Sequence, residues 1–254
     1  MRAFTLLFVL LAQTSFAQYH GVHLTRNTWC GFETENFVVE SYSSTYREPI
    51  QKNATKVACD AGWDIAAGFD GVDFKVFNSQ TRFFTSQPLL DASDKDYANY
   101  AQVAAGDKLA AVYTGKDFAV YDSTRQFVLT NFANMASPDA RLSAGETVAI
   151  LYDGSDIQVY NKNTMMFDRE FANSNFQYAT VIAGRTNAAA YDGQYAYFYC
   201  SHSGVFDRIL VNGGFQPYNT LPYLSFNGDD VGLIINRQLI VMYPNCQIKG
   251  GANL

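Results

Sequence analysis

Acidic side chains recur in this chain at places that would let them act together. Asp70, Asp153 and Asp192 each stand directly before a glycine, and Glu33 holds a matching turn near the front. Glu35, Asp73 and Asp156 follow two or three residues later, and Asp117 takes the same place in a copy that reads Thr114-Gly115. Carboxylates gathered in a ring hold a hard cation such as calcium through oxygen ligands, or draw in a basic partner by their field. Asp-Gly is also a favoured hairpin corner in its own right, since Gly supplies positive φ and the Asp oxygen bonds the backbone of the turn. Lys116 and Arg237 would interrupt any complete ring.

Two long segments offer recognition chemistry instead. SQPLLDASDKDYANY (86–100) and NGGFQPYNTLPY (212–223) are rich in Tyr, Asn, Asp and Phe, types that suit contact with a partner when carried on a rigid scaffold. Tyr97, Tyr100, Phe215 and Tyr218, with Asp70, Asp153 and Asp192, are the candidate binding residues. Asp91, Asp94 and Asp96 lack the Gly and the distant Glu of an EF-hand loop. His20 and His23 are three apart, so on a strand they point to opposite faces and cannot share one metal. His202, between two serines, reads as part of a turn. The sequence holds no G-x-S-x-G elbow, phosphate-binding loop or H-E-x-x-H pair, so no residue is assigned a catalytic role and none a metal. Trp29 and Trp63 are too few to supply one aromatic per repeat to a sugar pocket. Asn53-Ala54-Thr55 matches a glycosylation acceptor.

The elements that must position these residues repeat. Ala61-Gly62, Ala105-Gly106, Ala144-Gly145, Ala183-Gly184 and, more loosely, Asn227-Gly228 are spaced by 44, 39, 39 and 44 residues. Within one period, YATVIAG, NAAAYD, YAYFYC and VFDRILV read as four strands joined by Gly, Asp and Ser turns. The same parse fits 140–171, 100–132 and 55–87, a diverged first copy, and a last copy that ends in a short fourth strand at Cys246–Lys249. Six four-stranded meanders about 40 residues apart resemble the blades of a β-propeller, closest in layout to YVTN-like repeats. The Gly-His and Trp-Asp marks of WD40 blades are missing. The fold class is therefore all-β, a six-bladed propeller over 18–254, with a five-bladed propeller or a parallel β-helix as alternatives. On this layout Cys30 and Cys59 fall in adjacent copies, as do Cys200 and Cys246, which makes these the preferred disulfide pairs.

The first residues, MRAFTLLFVLLAQTSFA, carry Arg2, a short apolar run and small residues at Ser15 and Ala17, the pattern of a secretory signal over 1–17. The run is too short to span a bilayer. Losing Arg2 leaves 17 basic against 24 acidic residues, a net charge of −7, which repels phosphate backbones and disfavours nucleic acid. The resulting expectation is a secreted or periplasmic, non-catalytic propeller that binds a protein, peptide or glycan on its loop face. A hydrolase or lactonase-like propeller, with a divalent ion at the channel mouth, is the alternative.

Overall fold

The computed structural model describes residues 23–24, 28–51, 57–90, 94, 96–173, 176–211, 223–235 and 238–253. The expected leader, His20, Asn53, Asp91, Phe215, Tyr218 and Arg237 lie outside them.

The chain folds into six four-stranded antiparallel sheets in sequence order. The first comprises β1 (His23–Leu24), β2 (Thr28–Phe32), β3 (Asn36–Ser41) and β4 (Ser44–Pro49). The second runs β5 (Ala58–Ala61), β6 (Ile65–Phe69), β7 (Asp73–Asn78) and β8 (Phe83–Pro88). The third holds β9 (Gln102–Ala105), β10 (Leu109–Tyr113), β11 (Asp117–Asp122) and β12 (Phe127–Phe132). The fourth is β13 (Arg141–Ala144), β14 (Val148–Tyr152), β15 (Asp156–Asn161) and β16 (Met166–Phe171), and the fifth β17 (Thr180–Ala183), β18 (Asn187–Tyr191), β19 (Tyr195–Cys200) and β20 (Val205–Leu210). The sixth contains β21 (Tyr223–Asn227), β22 (Asp230–Ile235), β23 (Gln238–Met242) and β24 (Ile248–Asn253). Each sheet is a simple meander, and consecutive sheets pack face to face, as blades of a propeller do.

Central strands with apolar residues at every position are made for burial on both faces. In β14, Val148, Ile150 and Tyr152 pack with Ile157 and Val159 against Ala188, Ala190, Tyr197 and Tyr199 of the fifth sheet. The alternate residues Ala149 and Leu151, with Tyr160, turn to the third sheet's Leu109, Ala111, Tyr113, Phe118 and Val120. Tyr on one face meets Ala on the next, so the layers interdigitate. Each large side chain so buried contributes about 1.5–3 kcal/mol.

The recurring small-residue and Gly pair also has a packing cause. A Cβ on Gly62 would lie 2.0 Å from the carbonyl oxygen of Gly106, and one on Gly145 would lie 1.9 Å from that of Gly184. The innermost strands converge so tightly at this end that only hydrogen fits. In the sixth sheet, pairing of Asn227 with Asp230 puts Asn227, and not Gly228, in the glycine's place. The looser copy read from sequence is thus shifted by one residue.

Among the described residues, five apolar clusters join the first sheet to the second and onward to the sixth. The sixth sheet's far face is less covered. Ile234, Leu239 and Val241 are half-buried there, whereas their counterparts in the middle sheets are buried. Both expected disulfides are formed, Cys30–Cys59 and Cys200–Cys246, each tying neighbouring sheets.

Candidate functional site

The corners between second and third strands all lie at one end of the sheets. There Gly71, Gly115, Gly154 and Gly193 have φ between 91° and 104°, which explains the glycine at each corner. The Asp before it is not offered to solvent. Asp70, Asp153 and Asp192 are completely buried. One oxygen of Asp153 accepts the backbone N–H groups of Ser155 and Asp156, at 2.9 and 2.8 Å. The other accepts the N–H of Asn134 at 2.7 Å and the Gln158 amide at 3.3 Å. Asp192 repeats this with Gln194, Tyr195, Asn173 and the Tyr197 hydroxyl. Asp70 does so with Val72, Asp73 and Gln51. These three carboxylates therefore clasp each corner to the connection arriving from the preceding sheet. Their expected place as ligand-facing acids is corrected: every oxygen is engaged inside the fold.

Of the remaining acids of the proposed ring, Asp73, Asp117 and Asp156 are also drawn inward, whereas Glu33 is half-buried and Glu35 exposed. Lys75, itself buried, pairs with Asp73 at 3.2 Å and lies 3.6 Å from Asp70. Asp156 is fully buried with no hydrogen-bond donor on either oxygen, though Arg169 stands 3.5 Å away. Burial, and next the charge of Asp153, push its carboxyl above the usual range. Burial likewise raises Asp117, opposed by Lys116. Glu33 pairs with Arg47 at 3.3 Å.

The third sheet differs in a way that shapes the surface. Thr114 replaces Asp, and its hydroxyl accepts the N–H groups of Lys116 and Asp117. Over that corner lies the end of the long 86–100 segment, a 3-10 turn at Tyr97–Tyr100. The Tyr97 carbonyl and the Tyr100 ring lie against Gly115, so the Thr-Gly corner is covered, not open to solvent. Lys116 pins the segment through Asp94 at 2.7 Å. Tyr100 is half-buried against the cluster between the third and fourth sheets, while Tyr97 keeps 39% of its surface exposed.

Sequence reasoning passed over the outer rim of this end. Phe132, Phe171 and Leu210 close the fourth strands of three successive sheets, each paired with the first residue of the third strand beside the corner. They are 72%, 76% and 55% exposed. Asn134 and Asn173 follow Phe132 and Phe171 two residues later, and their side-chain amides bond Ser155 and Gln194 near the surface. The signal was present in the repeated Phe-Ala-Asn at 132–134 and 171–173. The end thus presents apolar rings beside neutral amides, a surface suited to contact.

No protein-family model matches the chain, and no curated protein matches it by sequence. Solved structures align with it at low identity. Apo AztD from Citrobacter koseri aligns over 91% of this chain and 71% of its own, at 7% identity and a TM-score of 0.49. Hsv2p from Kluyveromyces lactis aligns over 88% and 74%, at 10% identity and 0.44. PorZ of Porphyromonas gingivalis, described as a bacterial surface component of the type-IX secretion system, aligns over 93% of this chain but only 33% of its own, at 6% identity and 0.42. Among the described residues no helix is long and apolar enough to cross a membrane. The six meandering sheets, packed in sequence order, make the chain a β-propeller-like protein.

Proposed function

We propose that this is an exported, non-catalytic propeller that recognises a protein, peptide or glycan through the end bearing the Asp-Gly corners. The observation that carries this reading is the exposed set Tyr97, Phe132, Phe171 and Leu210, grouped at that end and set beside uncharged amides. Exposed rings bind partners through dispersion and apolar burial, and a few such residues supply most of the energy of an interface. Two disulfides and the leader-like first residues support export. The enzyme alternative is disfavoured because Asp70, Asp153 and Asp192 spend their oxygens on the scaffold.

The test is a Tyr97→Ala/Phe132→Ala/Phe171→Ala variant, probed beside the wild type on a glycan array and a displayed-peptide library. Its melt should stay within a few degrees, since Phe132 and Phe171 are largely exposed and Tyr97 partly so, while captured ligand falls at least about tenfold. A matched variant at the opposite end, Phe83→Ala/Met166→Ala, removes equally exposed apolar groups (74% and 61%) and should bind as wild type. Binding lost only in the second variant, or no ligand on either array, overturns the reading.

A further inference from the structure

At the end opposite the corners, the turns after the third strands of the fifth and sixth sheets meet. Cys200 closes β19, His202 sits in the turn that follows, and Cys246 lies in the turn between β23 and β24. The two sulfurs and one imidazole nitrogen of His202 all lie within 4.8 Å of one another. Cys200 is buried, Cys246 half-buried and His202 exposed, so the group is closed on one side and open to solvent on the other. The other disulfide, Cys30–Cys59, is not part of any such group among the described residues.

Both turns are held by bonds that do not depend on the disulfide. The Gly204 N–H donates to the Cys200 carbonyl at 2.9 Å, and the Asn161 amide to the Ser201 carbonyl at 2.9 Å. On the other side, the Cys246 N–H donates to Tyr243 at 3.0 Å and the Tyr243 N–H to Gln247 at 2.9 Å. Asn187, the β18 residue paired with Cys200, donates its buried side-chain amide to the Asp229 and Tyr243 carbonyls and so ties the fifth sheet to the sixth beside the two turns. Opening the sulfur–sulfur bond would therefore leave three donors facing one point.

We infer that reduction of Cys200–Cys246 converts this disulfide into a site for one zinc ion, held by the two thiolates and the His202 imidazole with a fourth position open to water. Two thiolates and an imidazole suit a borderline-soft d10 cation and disfavour calcium or magnesium, which take oxygen. Zinc–sulfur bonds of about 2.3 Å at tetrahedral angles place sulfurs about 3.8 Å apart, a separation the two side chains reach only once the bond between them opens. The reaction balances with a dithiol as reductant. Two electrons and two protons pass to the protein disulfide as the dithiol closes to its own disulfide, and zinc then displaces the two thiol protons to solvent. The oxidised chain has no thiolate to offer. The site lies away from the corner end and stands independently of the recognition reading.

A Cys30→Ser/Cys59→Ser chain confines the chemistry to Cys200–Cys246. After reduction and removal of reductant, Co2+ should give the visible bands of a tetrahedral ion and the near-ultraviolet band of thiolate-to-metal charge transfer, at one equivalent. Zn2+ should bleach both. The oxidised chain should give neither, and His202→Ala, a change at an exposed turn, should weaken cobalt binding at least about tenfold. No thiolate band, equal binding by His202→Ala, or a reduced chain that loses its β circular dichroism and does not regain it with Zn2+ overturns the inference.

Discussion

At the residue scale, the corner Asp is the side chain on which most depends. Removing the Asp153 carboxylate leaves the N–H groups of Ser155, Asp156 and Asn134 unpaired at a buried corner. Asp153→Ala should therefore cost about 3 kcal/mol in denaturant melts. Asp153→Thr should cost clearly less, since the Thr114 hydroxyl holds the same corner N–H groups in the third sheet. Equal losses in the two variants would show that the corner bonds are not what matters. Asp156 behaves in the opposite sense. Its folded-state pKa is raised by burial and by Asp153, so the folded chain holds that proton more tightly than the unfolded one. Stability from this group is complete below the ordinary carboxylate value and is lost as pH rises through the raised value. Asp156→Asn should thus leave stability at pH 7 equal or higher and flatten its decline across that window, as melts between pH 4 and 8 will register. A marked loss at pH 7 would mean that the Arg169 pair outweighs burial.

The corner acids also show what a sequence conceals. Asp-Gly announces a turn, and the turn is there. Which way its carboxylate faces depends on a connection arriving from the previous sheet, always 19 residues earlier: Gln51 for Asp70, Asn134 for Asp153, Asn173 for Asp192. That fixed interval is a sequence signal of a clasp, but it has meaning only once the sheets are known to pack in order. The exposed Phe132 and Phe171 escaped notice for a related reason. A terminal Phe on a strand reads as core, and only the pairing with the corner places it on the outermost strand with nothing beyond.

At the element scale, the innermost strands are governed by backbone contact. Gly145→Ala would set a Cβ 1.9 Å from the Gly184 carbonyl oxygen, where both sides are main chain and neither can yield cheaply. The strands must separate, and we expect a loss of about 3 kcal/mol or more. Gly228→Ala meets no atom within 4 Å and costs only the strain of its φ of 63°, about 1 kcal/mol. Chemical denaturation of the two variants side by side checks this, and similar losses would refute the close approach. The repeat of small residue and Gly was legible as a period, but its cause is a neighbour about 40 residues away. The sixth copy has Asn227 at that place and its glycine one residue later, inside the turn, so matching on the glycine sets it one position off.

At the scale of the whole molecule, the chain is a series of layers, each covering the face of the one before. Such an arrangement is weakest at its ends, and the half-buried Ile234, Leu239 and Val241 mark the sixth sheet as the less covered one. Its outermost strand β24 pairs along β23 and is longer than the sequence suggested, reaching Asn253. Deleting 247–254, which spares Cys246, should expose the β23 edge and lower the melting temperature or cause aggregation. An unchanged melt would show that β24 contributes no cover.

The central claim is that recognition takes place on the corner end, on a scaffold whose own acids are committed to holding it together. Hydrogen exchange of the wild-type chain, alone and with its strongest ligand from the arrays, tests this most directly. The account predicts slowed exchange in 96–101, 131–135 and 170–174, with the turns at 79–83 and 162–166 unchanged. Protection confined to those opposite turns would contradict it.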